Sequence, residues 1–371
     1  MQISELAGLN TQVLWAAFFL SVVFGAIAQR THFCTMGAVS DIVNMGDWTR
    51  MRQWGLAIGV AMMGFALLGY LGLIDPRKTM HATTRWIALS AAVGGALFGF
   101  GMVLASGCGS KTLVRIGAGS LKSLVVFFVM GVAAFATLKG ITAVLRVATV
   151  DSVAIDMPGG VSLWQWAAAA SGVKPTSALL AVGLVLGGIL SLWALFKKGF
   201  VNLENLLAGL GLGLVIAAMW WVSGGLGYVA EHPETLQEAF LATNSGRAEA
   251  LSFVAPMAYT LDWLIFFSDK SKALTIGIVS VAGVVVGSAL CALLTRTFRW
   301  EGFGGVEDVG NHLAGAVLMG VGGVTAMGCT VGQGLSGIST LSANSFVAVA
   351  GIIAGAVLAL KYQTWRIERD D

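Results

Sequence analysis

The chain has 371 residues, 57% of them hydrophobic and only 11% charged, with a mean hydropathy of +0.83. Soluble domains carry roughly a quarter charged residues, so the composition excludes a water-covered globule and predicts an all-α polytopic membrane protein. The net charge of +3 is small and spread through loops, which excludes a basic nucleic-acid footprint and leaves the lipid bilayer as the surrounding partner.

A helix needs roughly 20 apolar residues to cross a bilayer. In chain order the apolar runs predict about nine spans, near 11–28, 54–74, 86–107, 121–145, 176–196, 201–222, 273–295, 311–327 and 343–361. The whole chain, 1–371, reads as a single transmembrane domain. The first run ends in Ala26-Ile27-Ala28 like a cleaved signal, but Glu5 precedes it and no Lys or Arg does, which favours a mature membrane helix. Four apolar pieces, Phe33–Val43, Val161–Ala170, Phe253–Leu264 and Val331–Leu341, are too short to cross and are read as half-helices or interfacial segments.

The 50 glycines suit membrane helices, which associate by close backbone approach, as at Gly55-x-x-x-Gly59 and Gly283-x-x-x-Gly287. Tryptophans near span ends, among them Trp48, Trp54, Trp86, Trp220, Trp221, Trp300 and Trp365, fit interfacial belts. Lys197-Lys198 and Arg296 with Arg299 follow two spans, and the intervening stretch 223–272 is acid-rich. The excess of positive charge puts both basic clusters in the cytoplasm. Arg50, Arg52, Arg77, Lys78 and Arg85 crowd both ends of the second span, so the same rule leaves the N-terminal half unoriented.

Gly94–Gly109 aligns without gaps on Gly315–Thr330, with matches at Gly94/Gly315, Leu97/Leu318, Gly99/Gly320, Gly101/Gly322, Ala105/Ala326, Gly107/Gly328 and Cys108/Cys329. After a one-residue shift it continues at Gly117/Gly337, Leu121/Leu341 and Gly131/Gly351. Two related halves are expected, approximately 11–146 and 201–361. Repeated halves with interrupted helices in matching positions point to a transport site near the bilayer midplane, and the interruption falls on Cys108 and Cys329.

At each interruption an apolar helix runs into Gly-Cys and then a polar tract, Gly109-Ser110-Lys111-Thr112 in one half and Thr330-Val331-Gly332-Gln333-Gly334 in the other. Glycine lets the backbone turn there, and a restarting helix aims its free N–H groups and positive dipole end at the break, which suits an anion. Thiols add soft, weak donors. The expected substrate site is therefore Cys108 and Cys329 with Gly107, Gly109 and Gly328, while Lys111 and Arg115 either line an anion path or mark a cytoplasmic end.

Cys34, just past the first span, is balanced between packing and a site role on its residues alone. Cys291, inside an apolar helix, reads as packing. No C-x-x-C pair or zinc spacing links the four cysteines, so neither a metal, a cofactor nor a disulfide framework is expected. Gly107–Thr112 lacks the glycine before lysine that a phosphate-binding loop needs, because Ser110 stands there. His32 and His312 lack metal-spaced partners and read as packed or interfacial.

Three motifs carry a family resemblance: Gln29-Arg30-x-x-Phe33-Cys34-x-x-Gly37, Ala105-x-Gly107-Cys108 with Arg115, and Gly328-Cys329-x-x-Gly332-x-Gly334. In this order, over nearly the whole chain, the sequence resembles the YeeE/YedE family of bacterial sulphur-compound transporters. The resemblance implies an hourglass-like bundle in the cell inner membrane, with Cys34, Cys108 and Cys329 lining a narrow central path. It implies uptake of thiosulfate, a small sulphur-containing anion, relayed between thiols by transient hydrogen bonds without a large rocking motion. It also implies pairing with a small sulphur-carrier protein of the TusA type. The chain departs from the thiosulfate pattern at Gly109-Ser110-Lys111, which adds a cation beside the central thiol. Two other readings stand beside uptake of thiosulfate: transport of another sulphur or selenium species, and a membrane thiol-redox protein using Cys108 and Cys329 as a reversible pair.

Overall fold

The computed structural model describes residues 3–269 and 271–370. Its helices are α1 (Ile3–Arg30), α2 (Thr35–Met45), α3 (Thr49–Tyr70), α4 (Ala88–Leu104), α5 (Gly109–Gly117), α6 (Leu121–Lys139), α7 (Ile141–Ala148), α8 (Leu163–Ser171) and α9 (Pro175–Leu195). There follow α10 (Leu203–Leu206), α11 (Leu212–Trp221), α12 (Val254–Ile265), α13 (Ile276–Leu294), α14 (Val306–Thr325) and α15 (Ala343–Asp370). Wider π turns join α10 to α11 and extend the span to Leu226. An eight-residue π-helix, Thr330–Gly337, follows α14. Nine helical stretches among the described residues are long and apolar enough to cross a membrane, as the composition requires.

The fourth span is shorter than expected. An apolar run to about 145 is predicted, but α6 stops at Lys139, and Gly140 is extended at φ −107°, ψ −153°. The separate helix α7 exposes Ile141, Val144 and Leu145. Hydrophobicity reports lipid contact rather than straightness, so it runs on past a backbone corner.

Helix α4 is held on two sides by backbone. A side-chain atom added at Gly94 or Gly101 would meet α14 at Gly322 or Gly315, and one added at Gly95 or Gly99 would meet α15 at Ala348 or Ile352. Glycine permits this closeness, and dispersion and weak Cα–H contacts reward it where lipid supplies no hydrophobic drive. Glycines of α13 meet α1 in the same way, Gly283 at Phe18 and Gly287 at Val22.

Contacts between chain ends of the helices orient the N-terminal half. Arg52 donates to the Trp193 carbonyl and Arg30 pairs with Glu204 at 3.5 Å, so Arg30, Arg50 and Arg52 share a face with Lys197 and Lys198. Arg30 also lies in electrostatic reach of Cys291, near the end of α13, which adds Arg296 and Arg299 to that face. Lys78 pairs instead with Glu238 at 2.5 Å on the opposite, distal face. Two short antiparallel pairs cover the distal loops, β1 (Arg85–Trp86) with β2 (Ile155–Asp156) and β3 (Tyr228–Val229) with β4 (Ala239–Phe240).

Candidate functional site

One backbone device joins several pairs of consecutive helices; at α2 to α3 and α5 to α6 it does not lead into a cysteine, and at three other junctions it leads directly into one. Phe33 N–H bonds to the Ala28 carbonyl at 3.2 Å, Gly107 N–H to Met102 at 2.8 Å and Gly328 N–H to Gly323 at 2.7 Å. This six-to-one closure is the Schellman helix end. The residue before each donor is left-handed: His32 at φ 51°, Ser106 at 55° and Met327 at 56°. The residue after each donor is a cysteine in extended conformation, Cys34, Cys108 or Cys329, which caps the next helix. Backbone geometry therefore places Cys34 in one set with the other two.

This corrects the expected role of the glycines. The left-handed position belongs to Ser106 and Met327, not to Gly107 or Gly328, so freedom of φ is not what glycine supplies. Gly107 makes room: a Cβ there would lie 3.2 Å from the Lys111 side chain, and one at Gly328 3.1 Å from Gln333. At Gly109 the nearest atoms would be at an ordinary 3.7 Å. Gly109→Ala is accordingly expected to leave uptake near wild type, whereas Gly107→Ala displaces Lys111 and lowers it. Equal rates for the two variants in a transport assay would refute that distinction.

The sulphurs are not equivalent. Cys34 Sγ accepts the Gly37 N–H and Cys329 Sγ the Gly332 N–H, each at 3.4 Å. The backbone N–H groups of Val331 and Phe253 also act on Cys329. Cys108 Sγ makes no cap bond and lies 3.3 Å from Ser110 Oγ. Cys108 is in electrostatic reach of both Cys34 and Cys329. All three are buried, at 7%, 0% and 0% exposure in chain order.

Helix α12 completes the centre. Its N-cap residue Phe253 and first residue Val254 meet the start of α5 at Gly109, and Val254 also meets Gly323 of α14. The Ser336 hydroxyl donates to the Leu251 carbonyl at 2.7 Å, tying the π-helix to the same point. Helix starts thus converge on the thiols from several directions, each contributing positive dipole.

Cations gather on one side of this centre. Lys111 is in reach of Cys34, Cys108, Arg115 and Arg50. Arg115 Nη1 donates to the Ser106 carbonyl at 2.7 Å, bracing the break. Arg50 lies against Gly37 and pairs with Asp41 at 3.4 Å. On the other side a vestibule of about 660 Å³ opens to the distal face, with Arg85, Arg146, Arg247 and Tyr259 on its walls and Met327 and Gly328 among its lining.

Sequence reasoning missed Gln333 and Arg50. Gln333 Nε2 donates to the Ala326 carbonyl at 2.7 Å and its Oε1 accepts from Ser345 at 2.5 Å, bridging the second break to α15. Its amide in the polar tract directly after Cys329 was the available signal. Gln333→Leu strands a buried carbonyl and hydroxyl, at about 1–3 kcal/mol. A lowered Tm of the purified protein is expected, and an unchanged Tm would show the bridge contributes nothing. Cys291, partly exposed on α13, lies outside this constellation.

The chain matches the family model described as sulphur transport over residues 30–358. It belongs to the sulphur-transport family. Among its relatives in this family is a thiosulfate transporter, TsuA, of Spirochaeta thermophila, 25% identical over 355 residues that cover 92% of this chain and 97% of that one. The TsuA of Escherichia coli is 24% identical over the same length, 92% of each chain. The probable transporter YedE of Escherichia coli is 33% identical over 110 residues, 30% of this chain and 26% of that one. As a sulphur-transport family member the protein is a multi-pass membrane transporter, and its nine long apolar stretches agree with that.

Proposed function

We propose that this transporter takes up thiosulfate from the distal, outer face and passes it to the cytoplasm along Cys329, Cys108 and Cys34. The observation that carries the reading is the recurrence of one break at three cysteines, each presenting a thiol at a helix start, with Cys108 in electrostatic reach of the other two. The relatives named as thiosulfate transporters support the cargo.

The chemistry follows from weak, successive sites. A thiol whose sulphur accepts a backbone N–H still has its proton to donate to an anion, and helix starts add partial positive charge. Weak sites release what they bind, which conduction requires. Lys111 and Arg115 supply full charge where the anion leaves the centre, lowering the cost of a dianion in a low-dielectric setting. Delivery to a small sulphur-carrier protein of the TusA type would take place at the basic face, with Arg30, Arg50 and Lys197.

Lys111 also favours a second reading, a cargo other than thiosulfate among sulphur or selenium oxyanions. Proteoliposomes holding the purified chain decide between them. Labelled thiosulfate should accumulate and be displaced by unlabelled thiosulfate but not by sulfate. Displacement by another sulphur or selenium oxyanion at lower concentration would favour the second reading, and absence of thiosulfate uptake would overturn the first.

A further inference from the structure

Behind one wall of the distal vestibule lies a second cavity of about 100 Å³. Met80, Ser245, Ala255 and Tyr259 line both spaces. Glu249 lines the smaller one and is 8% exposed, the only buried Asp or Glu among the described residues. The chamber has room for about three waters at roughly 30 Å³ each. Polar groups sit among its apolar walls, and the buried Ser280 hydroxyl on them has no hydrogen-bond partner among the described residues.

Glu249 is held in place rather than swinging in solvent. Its Oε1 accepts the Ser245 N–H at 2.6 Å. The Ser223 hydroxyl donates to its carbonyl and accepts from its backbone N–H, the latter at 3.1 Å. Such a fixture on a loop outside the spans has no packing advantage over glutamine, which would fill the same space without a charge to desolvate.

We propose that Glu249 is a protonation site that controls admission of the anion to the distal vestibule: the neutral acid admits the anion, and the carboxylate repels it. This rests on the sulphur-anion reading above. The proton comes from vestibule water onto the Glu249 carboxylate and returns the same way, so no bond to the anion is formed or broken.

The surroundings leave Glu249 free to titrate. On its own loop, Arg247 Nη1 is engaged by the Ala82 carbonyl at 2.7 Å. The neighbouring segment, joined through Met80 N–H to the Ala248 carbonyl at 2.9 Å, brings Lys78 and His81. Lys78 is paired with Glu238, and burial pushes His81 down to about 4, so it stays neutral. Helix α12 brings Tyr259, which interacts electrostatically with Glu249, and α13 presents Ile276, Gly277 and Ser280 to the chamber, none of them charged. Burial pushes the Glu249 carboxyl above the usual carboxylate range. The sign is therefore fixed: uptake is full below the raised value and falls as external pH climbs through it.

The test uses the full chain in proteoliposomes, with initial rates of labelled thiosulfate uptake followed as external pH is stepped from acid to alkaline. Wild type is expected to slow several-fold, Glu249→Gln to stay flat at the rate of the acid limb, and Glu249→Asp to keep a slope with a shifted midpoint. Infrared difference spectra of the same samples supply a readout independent of transport. A protonated-carboxyl stretch should fade with rising pH in wild type and be missing in Glu249→Gln. A Glu249→Gln protein that keeps the wild-type slope, or wild type that carries thiosulfate indifferently to pH, overturns the inference alone. Wild type that carries no thiosulfate at any pH overturns the transport reading and this inference with it.

Discussion

Uptake of labelled thiosulfate by Cys108→Ala is expected to fall ten- to a hundredfold, more than for any other single cysteine. Cys108 is in electrostatic reach of both Cys34 and Cys329, and its sulphur carries no helix cap. Losing a hydrogen bond to a charged partner costs about 1.5–3 kcal/mol, which is roughly one to two factors of ten in rate. Cys34→Ala and Cys329→Ala also lose sulphurs that cap their own helices, so they should lower both uptake and Tm. Cys291→Ala should do neither. Cys108→Ser keeps a donor without soft sulphur and should fall between. Wild-type uptake by Cys108→Ala at equal protein level would sink the relay, and a reducible Cys108–Cys329 crosslink in the active protein would point to the redox alternative.

The other large effect concerns assembly. Gly99→Val should prevent recovery of a monodisperse protein in detergent. The added carbons would press into the Ile352 backbone of α15, and backbone cannot swing aside like a side chain. Overpacking costs typically 1–3 kcal/mol, and a main-chain obstacle puts this substitution at about 3 kcal/mol or more. Gly188→Ala is the matched control, since nothing lies within 4 Å of a Cβ there. Equal yield and Tm for the two variants would show that α4 and α15 can separate without loss.

How far the sequence carries is best seen at the three breaks. Gly107-Cys108 and Gly328-Cys329 were legible because the repeat aligned them, and both cysteines do begin new helices. Cys34 was not, because its break has no glycine: the left-handed residue is His32, and only backbone hydrogen bonding shows the kinship. The half-helix at Phe33–Val43 was nonetheless anticipated from its length, and Phe33 stacks on Trp54 at 4.5 Å to fix it. The vestibule was invisible for another reason. Arg247 reaches Ala82 across 165 residues of chain, and polar loop contacts of that separation leave no periodicity to read.

The clamping of α4 by backbone on two flanks has a thermal consequence. A carrier that rocks must repeatedly part and remake such seams, and its turnover then rises steeply on warming and responds to bilayer thickness and fluidity. Here the helix leading to Cys108 is wedged between α14 and α15 at Gly94, Gly95, Gly99 and Gly101, so parting either seam would forfeit close backbone packing along its length. On the proposed relay, the anion moves and the scaffold stays. Passage should accordingly show a shallow temperature coefficient, closer to diffusion through a narrow pore than to a conformational cycle, and near-equal rates in thin and thick lipid.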